Sequence, residues 1–147
     1  MKKHDEWSTD ELWDQVKMNF AAHMLIMYTF LRSKGIGPDE FTNYIAEKVI
    51  PGWKSEVKTT DDFMNAVLLN VRANGGTIRD IEITSSSSEA IVTQLLEKQV
   101  LEMFDLHEDD SDQLWNKFMP IANSLEMVFS WKQLDDGDIQ LAVSSKN

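Results

Sequence analysis

His23 is the residue of this sequence whose chemistry is easiest to define. In a helical reading of its surroundings, the imidazole lies in line with Phe20 and Met27, because residues three and four apart share a helix face. An imidazole among apolar groups can ligate a haem iron or hydrogen-bond a buried ligand. The simpler alternative is a core histidine whose ring N–H is satisfied by a carbonyl group. We predict that Phe20, His23 and Met27 line a ligand pocket and that His23 is buried and neutral.

The remaining histidines suggest no metal or nucleophilic site. His4 and His107 have no His-x-x-x-His or Glu-x-x-His spacing with His23. The chain has no cysteine, which excludes a disulfide framework, a thiolate nucleophile and a cysteine-based zinc site. From these patterns we assign no catalytic residue, no metal ligand and no cofactor-binding residue.

Two polar segments also resemble functional motifs only in composition. The serine run 85–88 has no Gly-x-Ser-x-Gly spacing and indicates a turn. The acidic segment 105–112 resembles a calcium loop, which needs glycine at its sixth position and an acid at its twelfth. Counting from Asp105, those positions hold Asp110 and Asn116. A solvated loop before the next helix is the better interpretation.

The stretch from Ser8 to Gly35 is the strongest helix signal and carries His23. Ser8 and Glu11 have the spacing of a capping box, and Gly35 can close the helix in a left-handed conformation. Between Met18 and Leu31 the plainly polar residues are Asn19, His23 and Thr29. A helix that is apolar on nearly every side must be covered nearly all round, so we expect a core helix that other elements wrap.

Two more helices are predicted in the first half of the chain. Pro38 starts the second, and Pro51-Gly52 is expected to end it. The third is capped by Thr60 or Asp61 and ends at Asn74-Gly75-Gly76.

The second half changes to a strand-like period. Residues 78–84 alternate as a strand, and 89–104 has two readings: a returning strand followed by a helix, or one helix opened by Ser86 and Glu89. The β-branched run favours the hairpin. At the C-terminus, pairing Gln133 with Ile139 keeps the large apolar side chains on one face and leaves a loop 135–137 closed by glycine. The predicted fold class is α+β, with N-terminal helices packed on a C-terminal antiparallel sheet.

Length and charge limit the functional class. The 147 residues fit a single domain, 1–147. The net charge of −11 argues against nucleic-acid binding and against an anionic membrane surface. The N-terminal residues lack a signal-peptide pattern, so we expect a cytoplasmic protein. The long apolar helix and five tryptophans are difficult for one such domain to cover, which favours a homodimer.

The order of three helices, Asn74-Gly75-Gly76, a strand at 78–84, a short turn and a strand at 89–95 resembles vinyl-reductase-type ligand-binding domains. It is also similar to bacterial proteins grouped with the aminothiazoline-carboxylate hydrolases. The likeness covers roughly residues 10–104 as a pattern. The resemblance implies the fold layout and a small hydrophobic ligand. Both groups commonly use cysteines, and this chain has none, so no site residue is transferred from them.

Three functions follow as hypotheses. The first is a non-catalytic domain that binds a small apolar ligand or a partner protein between its helices and its sheet. The second is a hydrolase of a small organic acid, although no serine or threonine is placed beside a histidine by a known signature. The third is a pure protein-interaction module, with Trp7 and Trp53 as exposed anchors.

Overall fold

The computed structural model describes residues 8–84, 86–96, 98–106 and 108–146. His4 and Trp7, His107 and part of the serine run lie outside these ranges. In chain order the elements are α1 Thr9–Ser33, α2 Pro38–Glu56, α3 Thr60–Ala73, β1 Ile78–Ile83, β2 Ser87–Val92, α4 Lys98–Met103, α5 Glu108–Ser111, α6 Gln113–Asn116, α7 Phe118–Ser124, β3 Met127–Gln133 and β4 Ile139–Ser145. The α+β class is confirmed, and the segment 89–104 adopts the strand-then-helix alternative.

The four strands form one antiparallel sheet in the order β1-β2-β4-β3. The C-terminal hairpin has the predicted register, with Gln133 opposite Ile139 and Phe129 opposite Val143. Gly137 closes the turn at a φ of +87°. Glycine adopts this left-handed backbone conformation at little energetic cost. The turn and the alternation of apolar residues therefore specify the same strand pairing.

Helix α3 provides the helical side of the core. Its capping box uses Thr59, whose hydroxyl accepts from the Asp62 N–H, one residue earlier than predicted. Phe63, Met64 and Val67 are fully buried against the sheet. Four aromatic rings meet here, with centroid separations of 5.1 to 5.9 Å between neighbours, which is the range of favourable edge and tilted contacts. They are Trp53, Phe63, Phe118 and Phe129.

Helix α2 does not end at Pro51-Gly52 as predicted. It continues to Glu56 with Pro51 inside it. A proline in a helix loses one backbone hydrogen bond, but packing of the final turn opposes that cost. Trp53, in that turn, packs on Phe63 and Phe118 and is partly buried, so it is not the exposed anchor that we expected.

Helix α1 is the largest departure from expectation. The other elements that the structure describes do not wrap it, and Leu25 is its buried residue. Leu25 packs with Leu101 and Leu106 in a second, smaller cluster, and Tyr28 meets Phe41 of α2 edge-on at 5.5 Å. The physical reason is that α3 already fills the position over the sheet. The apolar composition of α1 predicts that its surface is buried. It does not determine whether residues of the same chain bury it.

Half of the sixteen large apolar side chains that are exposed among the described residues belong to α1. They are Leu12, Trp13, Val16, Met18, Phe20, Ile26, Met27 and Phe30. Within the described part of the chain, neither α1 nor any other helix combines the length and the apolarity needed to cross a membrane.

Candidate functional site

A cleft lies between the inner side of α1 and the elements around the core, and we call it the α1 cleft. Its volume is about 110 Å³. An engineered apolar cavity of about 150 Å³ accepts benzene, so this space suits a ligand of similar or slightly smaller bulk. The lining residues are Phe20, Ala21, Met24, Leu25, Asn70, Val71, Asn74, Leu95, Leu96, Leu114, Trp115, Lys117 and Phe118.

The walls of the cleft are mainly apolar, and their position follows from local structure. The helical period of α1 places Ala21, Met24 and Leu25 on the side that faces the rest of the chain. Val71 comes from the last turn of α3, and its side chain and that of Leu95 both lie next to Gly76. Apolar walls that converge from several elements are typical of small-molecule sites.

Lys117 is the unusual member of the lining. It lies at the junction of α6 and α7, where both short helices meet in helical backbone geometry. Its Nζ sits 4.9 Å from the centroid of the Phe118 ring. Lys117 is partly buried and has no carboxylate or hydrogen-bond partner among the described residues. Burial lowers the pKa of the Lys117 ammonium below its ordinary value, because desolvation disfavours the charged form.

Trp115 supplies a second donor to the same lining. The residue is 1% exposed, and its indole Nε1 has no hydrogen-bond partner among the described residues. A buried N–H without a partner costs on the order of 1–3 kcal/mol. By contrast, the Nε1 of Trp131 donates to the Asn116 Oδ1 at 2.9 Å. Trp115 and Lys117 are two residues apart, and both residues line the same mainly apolar cleft.

Two asparagines complete the polar part of the lining. The Asn70 amide donates to the Ala66 carbonyl at 2.9 Å, and the Asn74 amide donates to the Asn70 carbonyl at 2.8 Å. Both amide nitrogens are therefore engaged within α3 and at its end. Their side-chain oxygens are acceptors, so the polar contacts available to a ligand are donors from Lys117 and Trp115 and acceptors from the asparagines.

The three predicted pocket residues are not brought together at this cleft. Phe20 lines it, whereas His23 and Met27 lie on the exposed side of α1. The prediction that His23 is buried is wrong. Its Nδ1 donates to the Asn19 carbonyl at 2.7 Å, because a backbone carbonyl can only accept. The helical spacing predicted a shared face but could not show which face of α1 meets the protein.

A second groove, of about 620 Å³, lies near the turn of the C-terminal hairpin and is lined by residues that include Gln94, Lys98, Asp112 and Trp131. It is wider and more open to solvent than the α1 cleft. Its polar groups take part in interactions with neighbouring residues, as the Trp131–Asn116 bond illustrates. We therefore place the candidate site in the smaller α1 cleft, where the donors are unsatisfied.

Catalytic and metal-binding arrangements are not seen in the described part of the chain. The ring of His23 bonds to a backbone carbonyl and not to a serine or threonine hydroxyl. No group of three or more histidine, aspartate or glutamate side chains there could hold a metal ion.

Comparison with known proteins shows no match to this chain, either among protein-family models or among curated proteins. Functional inference therefore depends on the geometry of the cleft and of α1.

The sequence contains one signal for the cleft that periodicity did not reveal. Asn116 and Lys117 interrupt an otherwise apolar and aromatic cluster, with Leu114-Trp115 before them and Phe118 after them. A lysine inside such a cluster must either extend to solvent or meet an anion. In the structure it is partly buried, and its Nζ lies over the Phe118 ring.

Proposed function

We propose that this chain is a non-catalytic binding domain whose α1 cleft accepts a small apolar ligand that carries a carboxylate. The observation that supports the proposal most directly is that Lys117 and Trp115, whose Nζ and Nε1 have no hydrogen-bond partner among the described residues, both line an apolar cleft. An anion stabilises an ammonium that is partly withdrawn from water, and a ligand carboxylate would accept from Lys117.

The other lining residues of the cleft indicate the size and polarity of the apolar part of the ligand. Met24, Leu25 and Val71 offer apolar contacts, and methionine adapts to irregular shapes. The volume of about 110 Å³ limits the buried part to roughly one small ring or a short branched chain. A small aromatic or branched aliphatic acid fits both requirements. The hydrolase hypothesis needs a nucleophile beside a base, and the described residues give it no support.

Native mass spectrometry of the purified protein tests this proposal. We expect a co-purified acid of low mass, or a complex that forms when phenylacetate is added. Lys117→Met should lose that complex, whereas Lys132→Met, which removes the same charge from an exposed position of β3, should retain it. Equal retention by both variants would contradict the role of Lys117.

We also propose that the chain acts as a homodimer in the cytoplasm. The exposed apolar side of α1 supports the dimer, since exposed apolar patches of this extent mark interaction surfaces. Sedimentation across a wide concentration range tests it, with a dimer as the expected species. Monomer at every concentration would contradict it.

A further inference from the structure

The exposed side of α1 carries a heptad pattern. Leu12, Val16, Asn19, His23, Ile26 and Phe30 follow one another at spacings of four and three residues in alternation. Every one of them is exposed. On a helix this spacing places them in one narrow stripe, the seam through which two helices pack. We call these six residues the seam.

The seam is symmetric about position 21. Reversing the chain direction pairs Leu12 with Phe30, Val16 with Ile26, and Asn19 with His23. A two-fold axis between antiparallel helices generates these pairs, because each layer of an antiparallel coiled coil combines one heptad position with the other. From this symmetry we infer that α1 packs against α1 of a second copy in an antiparallel pair, with Asn19 of each chain opposite His23 of the other. This inference rests on the proposed homodimer.

The polar groups in the middle of the seam are complementary. The Asn19 Oδ1 accepts from the Gln15 Nε2 at 2.8 Å, which leaves the Asn19 Nδ2 without a partner among the described residues. The His23 Nδ1 donates to the Asn19 carbonyl, so the Nε2 of a neutral ring is an acceptor. In an antiparallel pair, the Asn19 Nδ2 of each chain therefore faces the His23 Nε2 of the other, which gives two donor–acceptor pairs. A parallel partner would place asparagine on asparagine and histidine on histidine.

Charge and area favour a second copy over other occupants. The seam has no charged residue, although the chain has a net charge of −11. The first turn of α1 carries Asp10 and Glu11 and the last turn Arg32, so antiparallel packing sets acidic ends against basic ends. A membrane-surface helix would instead flank its apolar side with lysine and arginine.

The available surface is sufficient for a stable contact. The seam and its neighbours Trp13, Phe20 and Met27 expose on the order of 600 Å² of apolar surface, taking large side chains at about half of 150–250 Å² each. Stable interfaces bury about 600–1,000 Å² on each partner, polar rim included, so this apolar surface reaches the lower end of that range.

Glutamate substitutions test whether the seam is the interface. Val16→Glu should weaken dimerisation by at least about tenfold, because it buries a carboxylate against the apolar Ile26 of the second copy, once on each side of the two-fold axis. Met18→Glu is the matched control: Met18 is as exposed as Val16 on the same helix, 61% against 54%, but lies off the seam. Sedimentation should show a dimer for the control. Equal effects of the two substitutions would overturn the seam as the interface.

Cysteine cross-linking tests the orientation of the two helices. Because the chain has no native cysteine, any disulfide must form between the introduced residues. Mixing Val16→Cys chains with Ile26→Cys chains should give a disulfide between unlike chains, since only facing residues come within the 4.4–6.8 Å that a disulfide spans. Val16→Cys alone should not cross-link. A dimer in which Val16→Cys chains cross-link with one another, and not with Ile26→Cys chains, would show parallel packing. That result would overturn the antiparallel inference but not the homodimer. A wild-type monomer would overturn both.

Discussion

Arg32 at the end of α1 and Asp110 in α5 form an ion pair with an Nη1–Oδ2 distance of 2.8 Å. The Asp110 side chain is 8% exposed, while Arg32 is 47% exposed. The pair joins α1 to the part of the chain that carries Trp115 and Lys117. It therefore helps to hold one wall of the α1 cleft, which otherwise depends on a few apolar contacts of α1.

Arg32→Met should lower the free energy of unfolding by about 1–2 kcal/mol, between the values for exposed and buried pairs. Removing the cation leaves a buried carboxylate with less compensation. Lys48→Met is the control, because its ion pair with Glu47 is exposed on both sides and should contribute less than about 0.5 kcal/mol. Urea denaturation checks both variants, and equal losses would show that the α1–α5 pair has no special role.

Lys117→Met should stabilise the protein at pH 7 by up to about 1 kcal/mol, since it removes a partly buried charge that has no carboxylate partner among the described residues. The sign follows from the lowered pKa. The cost of holding the ammonium is fully present below the pKa of the folded state and disappears as pH rises to the ordinary value of 10.5. The stability difference from wild type should therefore shrink in alkali. Thermal unfolding from pH 7 to 10.5 measures it, and a destabilised variant would contradict this account.

Asp62→Asn should weaken the start of α3 at neutral pH. Backbone N–H groups of Lys58 and Thr59, and the bond with the Thr59 side chain, lower the pKa of the Asp62 carboxyl. Its stabilising contribution is present above the ordinary pKa of 3.8 and is lost as pH falls through the lower pKa of the folded state. The wild-type and variant curves should converge in acid. Unfolding measured between pH 7 and 2 tests this, and a constant difference would contradict it.

Gly137→Val should destabilise the C-terminal hairpin by more than about 1 kcal/mol, because a β-branched residue resists the φ of +87°. Gly52→Ala is the contrast. Gly52 lies inside α2 with open space around it, so alanine there should be neutral or stabilising by up to about 1 kcal/mol. A neutral Gly137→Val variant would mean that the turn tolerates a rearranged backbone.

The sequence predicts the C-terminal hairpin to the residue because three constraints agree on it. The two-residue alternation, the position of Gly137 and the pairing of Phe129 with Val143 permit one register. The end of α2 is not predicted in the same way. Pro51 argues locally for a stop, and the contacts of Trp53 with Phe63 and Phe118, which oppose that stop, are not visible in the local sequence.

The candidate site is less accessible from sequence because it depends on how α1 is placed. Helical spacing groups Phe20, His23 and Met27, but α1 is apolar on nearly all sides, so its pattern does not select the inward face. Lys117 and Trp115 lie in a segment of short helices without a sustained period. Their shared lining of one cleft is a tertiary relationship.

Calorimetric titration with phenylacetate and with its uncharged amide, phenylacetamide, tests the central claim most directly. The two molecules have nearly the same shape, so a difference in affinity reports the carboxylate. We predict that the wild-type protein binds phenylacetate at least about tenfold more tightly, as a charge-assisted hydrogen bond of 1.5–3 kcal/mol implies. Lys117→Met should abolish that preference. Equal affinity for the two compounds in the wild-type protein, or a preference that survives Lys117→Met, would contradict the assignment of the α1 cleft as a carboxylate site.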